Sequence, residues 1–181
     1  GATSAESVES AITAYQVVVK VEPLNVKAHI GLSHLHLLLG DAYVETQSEK
    51  HANFLKAMRY SEAVMFTNPA FHNSIKDGNP TWVACKALGE REMDAMFFWV
   101  NSVFYMFKET QWALGQVLNY RWITRARRVM ERMTEIGSDG KAPLLDFFLL
   151  WRVVFVSLLL LIGVFGIFTW IQQQGGSDEL A

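Results

Sequence analysis

Five histidines, His29, His34, His36, His51 and His72, are the residues best able to hold a metal or move a proton. On a helix His29 and His36 share a face at i, i+7, two turns apart and too far for one ion, while His34 and His36 point apart. No metal site is expected. Glu90, Glu92 and Asp94 form a short acidic run that could supply an acid/base pair. Arg91 stands among them and a helix begins there, so carboxylates favouring its positive N-terminus explain the run more simply. The single cysteine, Cys85, cannot form an intramolecular disulfide and leaves a Cys-based metal site without ligands. There is no H-E-x-x-H pair, no Gly-rich phosphate loop and no G-x-S-x-G nucleophile turn. The expectation is a chain without catalytic residues or cofactor, and not an enzyme.

Two further groups invite contact rather than chemistry. Phe97, Phe98, Trp99, Phe104, Tyr105, Phe107 and Trp112 surround almost the whole circumference of one predicted helix, more than a single core stripe requires. Part of this cluster is expected in the core and part in a groove or interface. Phe97, Trp99, Tyr105 and Trp112 are the candidate partner-binding residues, with an apolar ligand as the other occupant. Arg121, Arg125, Arg128 and Arg132 share a face at i, i+4, i+7, i+11. That face is either solvated and paired with Glu131 and Glu135 or applied to anionic headgroups.

The elements that must carry these residues are all helical. Between Ser4 and Ile136 apolar residues recur at three- and four-residue spacing, with no strand signal of useful length. Ala11, Tyr15, Val18 and Pro23 follow the second-helix pattern of a tetratricopeptide repeat, and Ala28, Leu32, Leu39 and Gly40 fit the first helix of the next. Ala57, Tyr60, Ala63 and Asn68-Pro69 repeat the closing pattern. The wide spacing of Pro23 and Pro69 predicts an insertion within Asp41–Lys56, hence an irregular tetratricopeptide-like bundle of helical hairpins. After Asn73–Pro80 the pattern predicts helices at about Trp82–Leu88 and Glu90–Phe107, then a last pair at about Trp112–Leu118 and Trp122–Ile136. Stacked hairpins of this kind bury one another's apolar faces and leave a concave surface.

In order, AYQVVVKVEPLNVKAHIGLSHLHLLLGD, KAMRYSEAVMFTNPAF, KALGEREMDAMFFWVNSVFYMF and RARRVMERMTEI resemble the T component associated with TRAP transporters, the TatT family, over about residues 8–136. The resemblance implies a tetratricopeptide-like bundle that binds partner proteins. It also implies an exported lipoprotein that assembles into ring-shaped oligomers with a substrate-binding partner. The chain departs from that pattern in having no N-terminal lipoprotein cysteine and in an apolar run that follows the last helices.

That run, Val153 to Ile171, is uncharged and about 28 Å long as a helix, enough to cross a hydrocarbon core. Trp151 and Trp170 stand at its ends and Arg152 can snorkel outward, so these three are the expected membrane-interface residues. Gly163 and Gly166 offer a flat spot for helix packing. Four regions follow: a helical domain over 1–136, a linker and interfacial lead-in over 137–152, a transmembrane helix over 153–171 and a polar tail over 172–181. Hydrophobic residues make up 51% of the chain, and the excess lies in this C-terminal part. The net charge of −2 comes from Asp178 and Glu179, which leaves residues 1–152 neutral and without an electrostatic footprint for nucleic acid.

The function expected from these features is that of a membrane-anchored adaptor, a protein–protein interaction subunit of a membrane complex, with association into homo-oligomers open. The alternatives are an integral accessory subunit of a larger membrane enzyme or energy-converting complex, and a helical domain for an apolar ligand. Partners are then membrane proteins and the lipid bilayer. Lys141 and Arg152 precede the span and no basic residue follows it, which favours a cytoplasmic domain. The resemblance implies export, and the reading adopted is a single-pass protein of the bacterial inner membrane with a periplasmic domain.

Overall fold

A computed structural model describes residues 4–110 and 113–138, the side chains of 113–120 and 138 excepted. Every element among the described residues is helical. They are α1 (Ala5–Val21), α2 (Val26–Ala42), α3 (Gln47–Met65), α4 (Pro69–Lys76), α5 (Thr81–Ala84), α6 (Met93–Lys108) and α7 (Ala113–Ser138), with 3-10 turns at Cys85–Ala87 and Glu90–Glu92. The chain divides after Asp139, and the description concerns the part before it. The expected transmembrane helix over 153–171, with Trp151, Arg152, Gly163, Gly166 and Trp170, lies outside the described residues, as does Trp112. Among the described residues no helix is long and apolar enough to cross a membrane.

Local sequence starts each of the first four helices. The Ser4 hydroxyl accepts from the Ser7 amide at 3.3 Å, and Ser7 Oγ accepts from the Ser4 amide at 3.0 Å, a reciprocal cap on α1. Asn25 and Thr46 cap α2 and α3 through the amides of Ala28 and Glu49. Asn68 accepts from two amides of α4, and Pro69 is the first residue of that helix, where a missing N–H costs nothing. Pro69, expected to close a repeat, therefore opens a helix.

The short connections 22–25 and 43–46 turn the chain back on itself, so α1, α2 and α3 pack in succession. Helix α6 packs against α3, α2 and α7, while α4 packs on α5 and on the Cys85–Ala87 turn, and α5 on α7. Two glycines let the first three helices approach closely. A Cβ on Gly31 would lie 2.8 Å from the Tyr15 ring, and one on Gly40 would lie 2.6 Å from the fully buried ring of Phe54. Across α2 and α3 the buried Ser33 hydroxyl donates to the Ala57 carbonyl at 2.8 Å and lies 2.7 Å from Ser61 Oγ.

Two boundaries differ from expectation. The stretch expected as an insertion is mostly the first half of α3, because Thr46 caps it and nothing from Gln47 to Lys56 breaks a helix. The predicted pair at 112–118 and 122–136 is the single helix α7. Asn119-Tyr120-Arg121 between the two halves contains neither Gly nor Pro, and modest propensity alone does not end a helix.

Candidate functional site

The aromatic residues of α6 radiate because three helices surround it. Trp99 is 1% exposed, donates its indole N–H to Glu62 Oε1 of α3 at 3.0 Å and lies 6.4 Å from the Trp122 ring of α7. Phe98 stacks on His34 of α2 at 5.4 Å, and Tyr105 stacks on Phe54 of α3 at 5.2 Å. A helix with neighbours on several sides buries rings on several sides, which accounts for aromatics beyond one stripe. Trp99 is thereby corrected from a contact residue to a core residue. Its burial and its bond to Glu62 leave no surface for a partner.

Phe97 and Tyr105 are half-buried. Phe97 meets Phe98 edge-on at 5.4 Å. The Tyr105 hydroxyl donates to Asp41 Oδ2 at 3.3 Å and Lys108 Nζ stands 5.4 Å from its ring. Burial first, and then the Asp41 carboxylate, raise the Tyr105 pKa above its ordinary value. Phe97, Trp99 and Tyr105 thus do not converge on one groove among the described residues, and Trp112 lies outside them.

The remaining candidates take structural positions. The Glu92 carboxylate is buried and accepts from the Gly89 amide at 2.9 Å, fixing the turn before α6, while Asp94 lies in the first turn of α6. Cys85 is buried, its thiol donating to the Trp82 carbonyl at 3.2 Å, and burial pushes its pKa up. Such a thiol is a poor nucleophile. Arg125 lies between the rings of Trp82 and Trp122, at 5.0 and 4.8 Å. Arg132 donates two hydrogen bonds to the Leu88 carbonyl, at 3.0 and 3.2 Å, and pairs with Glu135. Arg128 pairs with Glu131 at 3.0 Å. Of the four arginines that share a face, two therefore tie α7 to the segment before α6.

No group of three metal-ligating side chains occurs among the described residues. His29 and His36 are both buried, and both rings meet Tyr60, at 5.8 and 5.6 Å. His29 Nε2 is 2.8 Å from the Pro23 carbonyl, so it is the donor, and its Nδ1 has no hydrogen-bond partner. His36 Nδ1 is 2.9 Å from Asn53 Oδ1, and its Nε2 is without one. The i, i+7 spacing of the two rings was visible in the sequence. That Tyr60 enters between them was not, because it arrives from another helix.

A different surface presents what α6 does not. On α1, Val8 and Ile12 face the core, whereas Tyr15, Val17, Val18 and Val21 are exposed, and Leu24 follows in the turn. Val17 and Val21 share a face of α1 at i, i+4, Leu24 lies in the turn just beyond, and the last two are 76% and 77% exposed. These residues form an unpaired apolar ridge at the C-terminal end of the first helix. Single exposed apolar residues are ordinary, but a contiguous row marks a contact surface. The sequence carried the signal in the run Val17-Val18-Val19 followed by Val21, which is too apolar for a helix with one buried face. No protein-family model, no curated protein and no solved structure matches the chain.

Proposed function

We propose that this chain is a membrane-anchored interaction subunit: a tetratricopeptide-like stack of helical hairpins that docks a partner membrane protein through α1, held at the bilayer by the segment 153–171. The observation that carries the reading is the exposed ridge of Val17, Val18, Val21 and Leu24. An apolar ridge on a rigid hairpin suits a protein surface better than a small substrate, and it lies on the outermost helix of the series α1, α2, α3. The uncharged run with tryptophans at both ends supports the anchor. The periplasmic placement rests on the resemblance to TatT proteins.

The test is gentle detergent extraction of the full chain, followed by quantitation of proteins that copurify in fixed stoichiometry. Val21→Glu combined with Leu24→Glu places two charges on the ridge without touching the core, and it should remove the stoichiometric partner while helical circular dichroism is unchanged. Retention of the same partner at the same ratio would refute docking through α1. The anchor is tested separately by truncation after Gly140, which should leave a helical protein that no longer sediments with membranes.

A further inference from the structure

The arginines of α7 divide by charge balance. Arg127 and Arg128 pair with Glu131, and Arg132 pairs with Glu135. Arg121 and Arg125 have no carboxylate partner among the described residues. Their own stretch offers none, because no acidic residue occurs over 113–130. Helix α5 packs on α7, and its stretch 79–89 adds Lys86 and again no acidic residue. Positive charge is therefore in local excess here, although residues 1–152 as a whole are neutral.

These cations are set among indoles. Arg125 is half-buried, its guanidinium carbon 5.0 Å from the Trp82 ring and 4.8 Å from the Trp122 ring, and both indoles are half-buried themselves. Rings stacked on a guanidinium hold the group in place and leave its N–H edge free to donate. Arg121 lies one turn before Arg125 on the same face of α7, and Lys86 one turn beyond Trp82; both are exposed. Cations beside half-buried indoles suit a lipid headgroup layer, where phosphates accept from guanidinium and ammonium and indoles bridge the polar and apolar levels. A nucleic acid would need open rings to stack its bases on, and Arg125 already lies against both.

We propose that the surface of Trp82, Lys86, Arg121, Trp122 and Arg125 lies on an anionic lipid bilayer. The proposal rests on the anchored reading above for the nearness of that bilayer: 14 residues, 139–152, separate α7 from the uncharged run, a reach of at most about 50 Å. So short a tether keeps a weak electrostatic contact populated. In the packing series α1 rests on α2, whereas α7 rests on α6 and α5. The ridge of Val17 and Val21 thus stays open to a partner protein while α5 and α7 meet lipid.

The experiment places the full chain, with isotopically labelled tryptophan, in lipid nanodiscs that carry gadolinium on their headgroups, and follows the indole N–H resonances by NMR. The discs hold phosphatidylcholine alone or mixed with phosphatidylglycerol. Trp151 and Trp170 report the anchor: they should broaden in both discs, and if they do not, the anchored reading fails on its own account. Trp82 and Trp122 report the surface, and should broaden more strongly when phosphatidylglycerol is present. An unanchored chain mixed with excess discs must show the same dependence. Arg121→Glu with Lys86→Glu reverses two exposed charges and leaves the Arg125 stack intact. At about fivefold per near-surface cation, the pair should lower the ratio of lipid-bound to free domain by roughly 25-fold or more. Trp151, Trp170 and the helical circular dichroism should be unchanged in that variant. Equal broadening of Trp82 and Trp122 in the two discs, or a phosphatidylglycerol effect that survives the double reversal, would overturn the proposal.

Discussion

Replacing three glycines by alanine, Gly31 and Gly40 of α2 and Gly137 of α7, should give three different outcomes, because the same methyl meets three different surroundings. In a helix interior alanine is favoured over glycine by about 1 kcal/mol. At Gly40 the new Cβ would sit 2.6 and 2.9 Å from two atoms of the Phe54 ring, which is 0% exposed and stacked on Tyr105. That ring cannot move outward, and overpacking of this kind costs about 1–3 kcal/mol. The net expectation for Gly40→Ala is a loss of about 1 kcal/mol, a few degrees in Tm. At Gly31 the clash at 2.8 Å is with the ring of Tyr15, which is 39% exposed and can swing into solvent, so Gly31→Ala should be near neutral. Gly137 has nothing within 4 Å, and Gly137→Ala should stabilise by a few tenths of a kcal/mol in the last turn of α7. Urea denaturation followed by circular dichroism orders the three. A Gly40→Ala chain as stable as Gly137→Ala would refute the close approach of α2 and α3.

Trp99→Phe should lower stability by about 1.5–3 kcal/mol, since Glu62 loses the indole donor, yet leave any copurifying partner in place under native conditions; partner loss without destabilisation would contradict its core position. Acidification should weaken the fold through His36. Its folded pKa lies below the ordinary 6.5, so the unfolded chain binds the proton more readily and stability falls as pH drops through that value toward the folded pKa. Urea midpoints measured from pH 7.5 down to about 5 should fall less steeply in His36→Phe, and parallel slopes would contradict the assignment. Arg132→Ala strips both hydrogen bonds from the buried Leu88 carbonyl and should cost about 1–3 kcal/mol in denaturation; Arg132→Lys should recover only part, because lysine lacks the planar fork.

The sequence by itself determined the helices. Caps at Ser4, Asn25, Thr46 and Asn68, apolar spacing of three and four, and the absence of strand patterns are local properties, and local properties are what a linear reading contains. It also carried the apolar ridge of α1, since Val17, Val21 and Leu24 are too many apolar positions for a helix whose inner face is already supplied by Val8 and Ile12. What it could not decide was the number of neighbours each helix has. Aromatics around α6 read as core plus interface when one packing face is assumed. Contacts with α2, α3 and α7 turn Trp99 fully inward and leave Phe97, Phe98, Phe104, Tyr105 and Phe107 half-buried, and Trp99 acquires a donor bond to a residue 37 positions away. The break expected inside α7 is absent for a related reason: weak local propensity is overridden when a helix such as α7 packs along α6. His36 shows the same division. Its type and position were evident, but its tautomer and its unpaired nitrogen follow from Asn53 and Glu49 on α3, which only the folded chain brings beside it.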